Sequence, residues 1–183
     1  MYKVFYSIGL YFDSKTDFLV REVWKILSEH QLSDYYLRSG NRPHITLAIF
    51  SETDIETAEQ LLFDFSQSVT PFFLSFQQIG IFTGPDWAVF WAPVVTTKLL
   101  ELHSDLHNKF GAFSTYPDFT FYNPGKWIPH CGLAMEIKEY QQIPEILELC
   151  RNLPPPHETE VTEIGLISFR PVNHLFTFPL SGI

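Results

Sequence analysis

Apolar residues along this chain recur in two rhythms, at every second position and at every third or fourth. Val4 to Phe12 is rich in aromatic and β-branched residues and reads as a strand. Behind it Leu19, Val23, Ile26 and Leu27 recur at helical spacing, which predicts a helix running to about His30. Ser14 with Asp17 resembles a capping box at its start. Tyr35 to Pro43, carrying Gly40-Asn41, reads as a loop, and His44 to Phe50 as a second strand.

Thr53 with Glu56 repeats the capping signature, and Ile55, Ala58, Leu62 and Phe65 form the inward face of a second helix. Phe72 to Phe82 and Trp87 to Val95 are strand-like runs, with Gly84-Pro85-Asp86 expected as the hairpin turn between them. A third helix should begin at Thr97 with Leu99, Leu102, Leu106 and Phe110 on one face. Gly111 to Lys126, which includes Pro117, Asn123, Pro124 and Gly125, is expected to be irregular. Ile128 to Met135 is again strand-like. Pro144 suits the first turn of a fourth helix with Ile143, Ile146, Leu147 and Cys150 inward, ended by Pro154-Pro155-Pro156. Val161 to Phe169 and His174 to Leu180 close the chain as strands. Interleaved helices and strands in two loosely similar halves predict an α+β fold, bilobal about a central cleft, with residues 1–183 forming a single two-lobed domain.

Composition narrows the function classes. Apolar residues make up 45% of the 183 and include 18 Phe, ample for a buried core. The formal charge is −9, with no Lys or Arg cluster to attract a long polyanion, which argues against duplex DNA. No apolar run approaches the roughly 20 residues that span a bilayer, so no membrane role is expected. Cys131 and Cys150 have neither metal-ligand nor disulfide-framework spacing. With no secretory stretch at the start, a reducing cytoplasm is the expected location, and a monomer the expected state.

Two segments carry the chemistry: Arg42-Pro43-His44-Ile45-Thr46-Leu47-Ala48 and Ile128-Pro129-His130-Cys131-Gly132-Leu133-Ala134. Each has Pro before His and Leu-Ala three residues after it. Proline opens strands but does not sit inside them, so each His should stand near a strand start. By strand alternation His44 and Thr46 face one way while Ile45 and Leu47 face a core; His130 and Gly132 are disposed likewise against Cys131 and Leu133. Two such strands brought together put two imidazoles across a phosphate, one to take a proton and one to give it. Thr46 is placed to stabilise charge on the non-bridging oxygens. That chemistry requires no metal or other cofactor, and neither an HExxH nor a paired CxxC occurs.

Pro-His-Ile-Thr-Leu and Pro-His-Cys-Gly-Leu, in this order of elements, resemble the two-histidine phosphoesterase superfamily, which includes 2′-5′ RNA ligase-like and cyclic phosphodiesterase proteins. The resemblance implies two lobes of antiparallel sheet related by a pseudo-twofold axis, with outer helices and both motifs facing a central groove. It implies metal-independent hydrolysis, or reversible ligation, of 2′,3′-cyclic or 2′-5′ ribonucleotide phosphodiesters, with His44, Thr46 and His130 catalytic. A small nucleotide or an RNA end is the implied substrate. Gly132 departs from the family pattern, which has Thr or Ser there. One missing donor costs roughly 1–3 kcal/mol of transition-state stabilisation, or about tenfold to a hundredfold in rate. This departure motivates the alternative of a nucleotide- or RNA-binding module with weak or lost catalysis.

Around the motifs, Arg42 and Lys126 are candidates to bind phosphate, and Tyr122 and Trp127 to stack on a base. Arg170 is a candidate to reach the groove from the closing strands, and His174, beside Asn173, either lines the groove or, as its sequence favours, stands in a turn. His103 and His107, four apart on a helix, are expected at its solvent-facing edge. Cys131 should face away from the groove, so no cysteine nucleophile is expected.

Overall fold

The computed structural model describes residues 4–51, 54–84, 87–113, 117–137 and 139–182, without the side chains of residues 117 and 118. Eight strands and five α-helices occur among them: β1 (Phe5–Phe12), α1 (Ser14–Glu29), α2 (Tyr35–Ser39), β2 (His44–Phe50), α3 (Ile55–Ser68), β3 (Phe72–Leu74), β4 (Phe76–Phe82), β5 (Trp87–Pro93), α4 (Thr97–Lys109), β6 (Cys131–Ile137), α5 (Ile143–Asn152), β7 (Thr159–Phe169) and β8 (Asn173–Pro179). A 3-10 segment, Pro117–Tyr122, precedes β6.

The strands form two antiparallel sheets. One runs β2-β1-β7-β3, with β8 also pairing with β7; the other runs β4-β5-β6. The first motif therefore lies on an edge strand of one sheet and the second on an edge strand of the other. An apolar cluster runs through both, including Ile8, Leu10, Ile45 and Leu47 on one side and Phe76, Trp91, Cys131 and Leu133 on the other. The α+β expectation with two antiparallel sheets holds, with five strands in one sheet and three in the other.

Local chemistry explains where the elements differ from expectation. Helix α1 is capped by Asp13, whose carboxylate accepts from the Thr16 amide at 2.9 Å, so Ser14 is its first residue and not its cap. Its buried face is Thr16, Val20, Val23, Trp24 and Leu27, turned from the face that Leu19 and Ile26 would give. The carboxylate of Asp54 accepts from the amides of Glu56 and Thr57 and caps α3; the expected cap, Thr53, lies outside the described residues. Tyr35–Ser39 is a short helix within the expected loop, ended by Gly40 at φ 77°.

The apolar run from Phe72 to Phe82 divides at Ser75. Its first part pairs with β7 and its second with β5, so the chain passes from one sheet to the other at a point where both flanks are hydrophobic. The Ser75 carbonyl accepts from the Val94 amide at 2.8 Å as the chain crosses. Pro85 and Asp86 of the expected turn lie outside the described residues, although the flanking strands pair as a hairpin would. The faces expected for α4 and α5 hold: Leu99, Leu102, Leu106, Phe110, Ile143, Ile146 and Cys150 are buried, and Leu147 partly so.

Candidate active site

Each motif histidine is held in the same way. Nδ1 of His44 lies 2.6 Å from the Arg42 carbonyl, and Nδ1 of His130 lies 2.7 Å from the Ile128 carbonyl, in each case two residues upstream. A carbonyl only accepts, so each neutral ring carries its proton on Nδ1 and leaves Nε2 with a free lone pair. The intervening prolines have no N–H to offer a ladder. This explains why β6 begins at Cys131, with His130 just ahead of it, and not at Ile128. The space for the His44 ring comes partly from Gly9 on the neighbouring strand, where a methyl group would meet Cδ2 of the ring at 3.3 Å.

Alternation then sorts the side chains. Ile45, Leu47, Cys131 and Leu133 are buried in the core, whereas His44, Thr46, His130 and Gly132 line one groove between the sheets. The groove encloses about 410 Å³, within the size range of small-molecule sites. Its walls also include Tyr35, Tyr36 and Asn41 near α2, Phe119 and Tyr122 from the 3-10 segment, and Phe169 and Arg170 after β7.

Enclosure controls the proton chemistry. His44 lines the groove, and burial pushes its pKa down to about 4. Its bond to the Arg42 carbonyl works against that shift, while the nearby His130, His174 and Arg42 add to it. His130 is also lowered by burial, opposed by the Ile128 carbonyl. Its ring sits among Phe82 at 4.9 Å, Phe90 at 5.3 Å and Tyr122 at 6.3 Å. Both imidazoles are therefore mostly neutral at pH 7. Burial pushes the Tyr122 phenol up to about 12 despite its hydrogen bond with the Thr46 hydroxyl, so it remains protonated.

Three residues expected to bind substrate do not line the groove. The guanidinium of Arg42 pairs with Glu163 at 2.7 Å and sits 4.3 Å from the Tyr11 ring centroid, its charge already matched. Lys126 is exposed in a turn. Trp127 is buried, its ring stacked on His103 at 4.0 Å and its Nε1 donating to the Thr46 carbonyl at 2.9 Å, so it has no free face for a base.

His103 is likewise not at a solvent-facing edge. It is 2% exposed, and its Nε2 lies 3.0 Å from the Leu47 carbonyl and 2.9 Å from that of Tyr122. His107 Nε2 meets the same Leu47 carbonyl at 3.1 Å. The pairing of β1 with β2 steps from Ile8↔Ala48 to Gly9↔Thr46, leaving Leu47 as the extra residue of a bulge. The two histidines serve the carbonyl that the bulge takes out of the ladder.

Arg170 does line the groove and makes no ion pair among the described residues. His174 bonds the Gly40 carbonyl at 3.0 Å. The Cys131 thiol is buried and pushed up to about 12, which removes it as a nucleophile. Tyr36 is among the groove residues that sequence reasoning misses, together with Tyr35, Asn41, Phe119 and Phe169. Nothing in the Tyr-Tyr pair that opens α2 marks it in the sequence, and only its position against Gly132 does. Among the described residues, no group of three or more His, Cys, Asp or Glu is arranged to hold a metal ion, and no helix is long and apolar enough to cross a membrane.

Solved structures share this architecture. E. coli LigT complexed with 3′-AMP matches with a TM-score of 0.60 at 16% identity, over 98% of this chain and 99% of that one. TT0787 of Thermus thermophilus gives 0.62 at 15% identity, over 97% and 98%. Usb1 of Kluyveromyces marxianus gives 0.51 at 11% identity, over 97% and 98%. At such identities the likeness is one of fold. A search of curated sequences finds no match. The model of the 2′-5′ RNA ligase superfamily matches residues 16–173, a span that takes in both histidine motifs, and this chain belongs to that family.

Proposed function

We propose that this chain is a phosphodiesterase that opens 2′,3′-cyclic or 2′-5′-linked ribonucleotide phosphodiesters by acid–base catalysis between His44 and His130. The observation that carries the reading is the matched tethering of the two rings. Each Nδ1 is fixed by its own backbone, and each Nε2 is left for a groove that both residues line.

In the hydrolytic direction His44, the ring with pKa lowered to about 4, is the base. Its Nε2 takes a proton from water as the oxygen attacks phosphorus. His130 enters protonated and gives its Nε2 proton to the departing ribose oxygen as the P–O bond breaks. A bound phosphodiester anion supplies the negative charge that keeps the His130 imidazolium stable in an enclosed site. Thr46 donates to a non-bridging oxygen, and Arg170 draws the anion to the groove mouth. With a ribose hydroxyl in place of water as the attacking group, the same proton transfers join that hydroxyl to the opened cyclic phosphate; the reverse, with the two rings exchanging roles, re-forms the cycle and releases the hydroxyl.

A small substrate suits the groove volume and a chain of charge −9. The complexes of LigT with 3′-AMP, ATP and NADP+ are of the same ligand class in a related fold. Phosphorus NMR on a panel of cyclic and linear ribonucleotide diesters tests the proposal. A new monoester signal from a cyclic or 2′-5′ diester is expected, whereas a panel left unchanged by the protein contradicts it.

A further inference from the structure

Gly132 stands where the second motif would otherwise carry a hydroxyl residue, and the structure gives that glycine a neighbour. A β-carbon added at Gly132 would overlap the hydroxyl oxygen of Tyr36 and come within 3.0 Å of the ring Cε2. The phenol therefore occupies the volume that a Thr or Ser side chain at 132 would fill.

Three further observations show that the phenol is built into this place. The Tyr36 ring stacks on Trp24 at 4.8 Å with an interplanar angle of 11°. Trp24 Nε1 donates to the Gly132 carbonyl at 2.9 Å, tying the stack to the motif strand. Tyr36 and Gly132 both line the groove with His44, Thr46 and His130.

We infer that Tyr36 supplies, from α2, the phosphate-binding hydroxyl that the second motif lacks, so that the pair Tyr36 and Gly132 replaces a single Thr or Ser. The inference rests on the phosphodiesterase reading of the groove. Burial holds the phenol well above its ordinary pKa, so it donates throughout the working pH range. A donor on a stacked aromatic ring is fixed more rigidly than a hydroxyl on a rotating Ser, and it narrows the groove beside the anion. The substrate class favoured is a small, tightly curved diester such as a 2′,3′-cyclic phosphate.

A cycle of variants tests this. Tyr36→Phe keeps the stack on Trp24 and removes only the oxygen; kcat is expected to fall about tenfold to a hundredfold with the thermal midpoint nearly unchanged. Gly132→Ser in the parent is expected to lower kcat, because the new side chain meets the phenol. Tyr36→Ala with Gly132→Thr is expected to recover much of the rate that Tyr36→Ala alone loses, since a hydroxyl then returns to the same volume.

An unchanged kcat in Tyr36→Phe, or a rate raised by Gly132→Ser alone, overturns the inference while leaving the histidine mechanism intact. If His44→Ala and His130→Ala also turn over normally, the phosphodiesterase reading itself fails. Should the parent turn over no diester on the panel, affinity for inorganic phosphate decides. Weaker binding by Tyr36→Phe, about fivefold or more, supports the assignment, and equal binding overturns it.

Discussion

Trp127 Nε1 donates to the main-chain carbonyl of Thr46 at 2.9 Å, which ties the run leading to the second histidine to the strand that carries the first. Two edge strands in separate sheets have no ladder to hold them in register. This bond, the stacked His103 beneath the indole, and the shared Leu47 carbonyl supply the alignment instead.

Trp127→Phe keeps most of the apolar volume but leaves the Thr46 carbonyl without its donor. The cost is expected at about 1–3 kcal/mol, seen as a lower thermal midpoint, together with a reduced kcat as the rings lose registration. A melt and a rate equal to the parent's would contradict this role.

Burial of His103 makes stability sensitive to acid. Its pKa is lowered from 6.5 to about 4, chiefly by burial and then by His107. The unfolded chain thus takes up the proton first. The contribution is complete above pH 6.5 and is lost as pH falls toward 4, at a cost on the order of 3 kcal/mol. His103→Gln retains a donor and cannot titrate, so urea midpoints measured across that window should decline less steeply than in the parent. Parallel declines would show that His103 is not the group responsible.

The same reasoning fixes the shape of the rate profile. With His44 as base and His130 as acid, kcat/KM should rise as His44 loses its proton near pH 4 and fall as His130 loses its own below 6.5. The profile of kcat should lie to the alkaline side, because bound anion stabilises the His130 imidazolium. A kcat/KM that keeps increasing into alkaline solution would refute this protonation scheme.

Cation use separates Arg170 from Arg42. Arg170→Ala should raise KM by about tenfold and weaken its dependence on salt, since it removes from the groove a charge that makes no ion pair among the described residues. Arg42→Ala should act mainly through the freed Glu163 and the Tyr11 contact, with a smaller change in KM. Equal effects of the two on KM would contradict the division.

How much of this is legible in the sequence follows from what periodicity can encode. The Pro-His pairs and strand alternation suffice to place His44, Thr46, His130 and Gly132 on one face, because a two-residue repeat fixes orientation once a strand is assumed. The spacing of Leu99, Leu102, Leu106 and Phe110 likewise identifies the buried face of α4. Contacts between remote segments leave no such trace. Arg42 and Trp127 are adjacent to the motifs in sequence and read as groove residues, yet Glu163 and His103 draw them elsewhere. Tyr36, far from His130 in the chain, reaches Gly132 only because α2 packs against β6. The apolar run through Ser75 conceals a change of sheet, since hydrophobicity does not record which strand is the partner.

The measurement closest to the central claim is the turnover of one cyclic ribonucleotide diester by His44→Ala, His130→Ala and the double variant. Each single change should lower kcat about a hundredfold to ten-thousandfold, with the double little worse than either, as expected of groups that act as a pair. A second substrate with a leaving group acidic enough to depart unprotonated should restore most of the loss in His130→Ala and none in His44→Ala. Rates within a few-fold of the parent in either single variant would contradict the account.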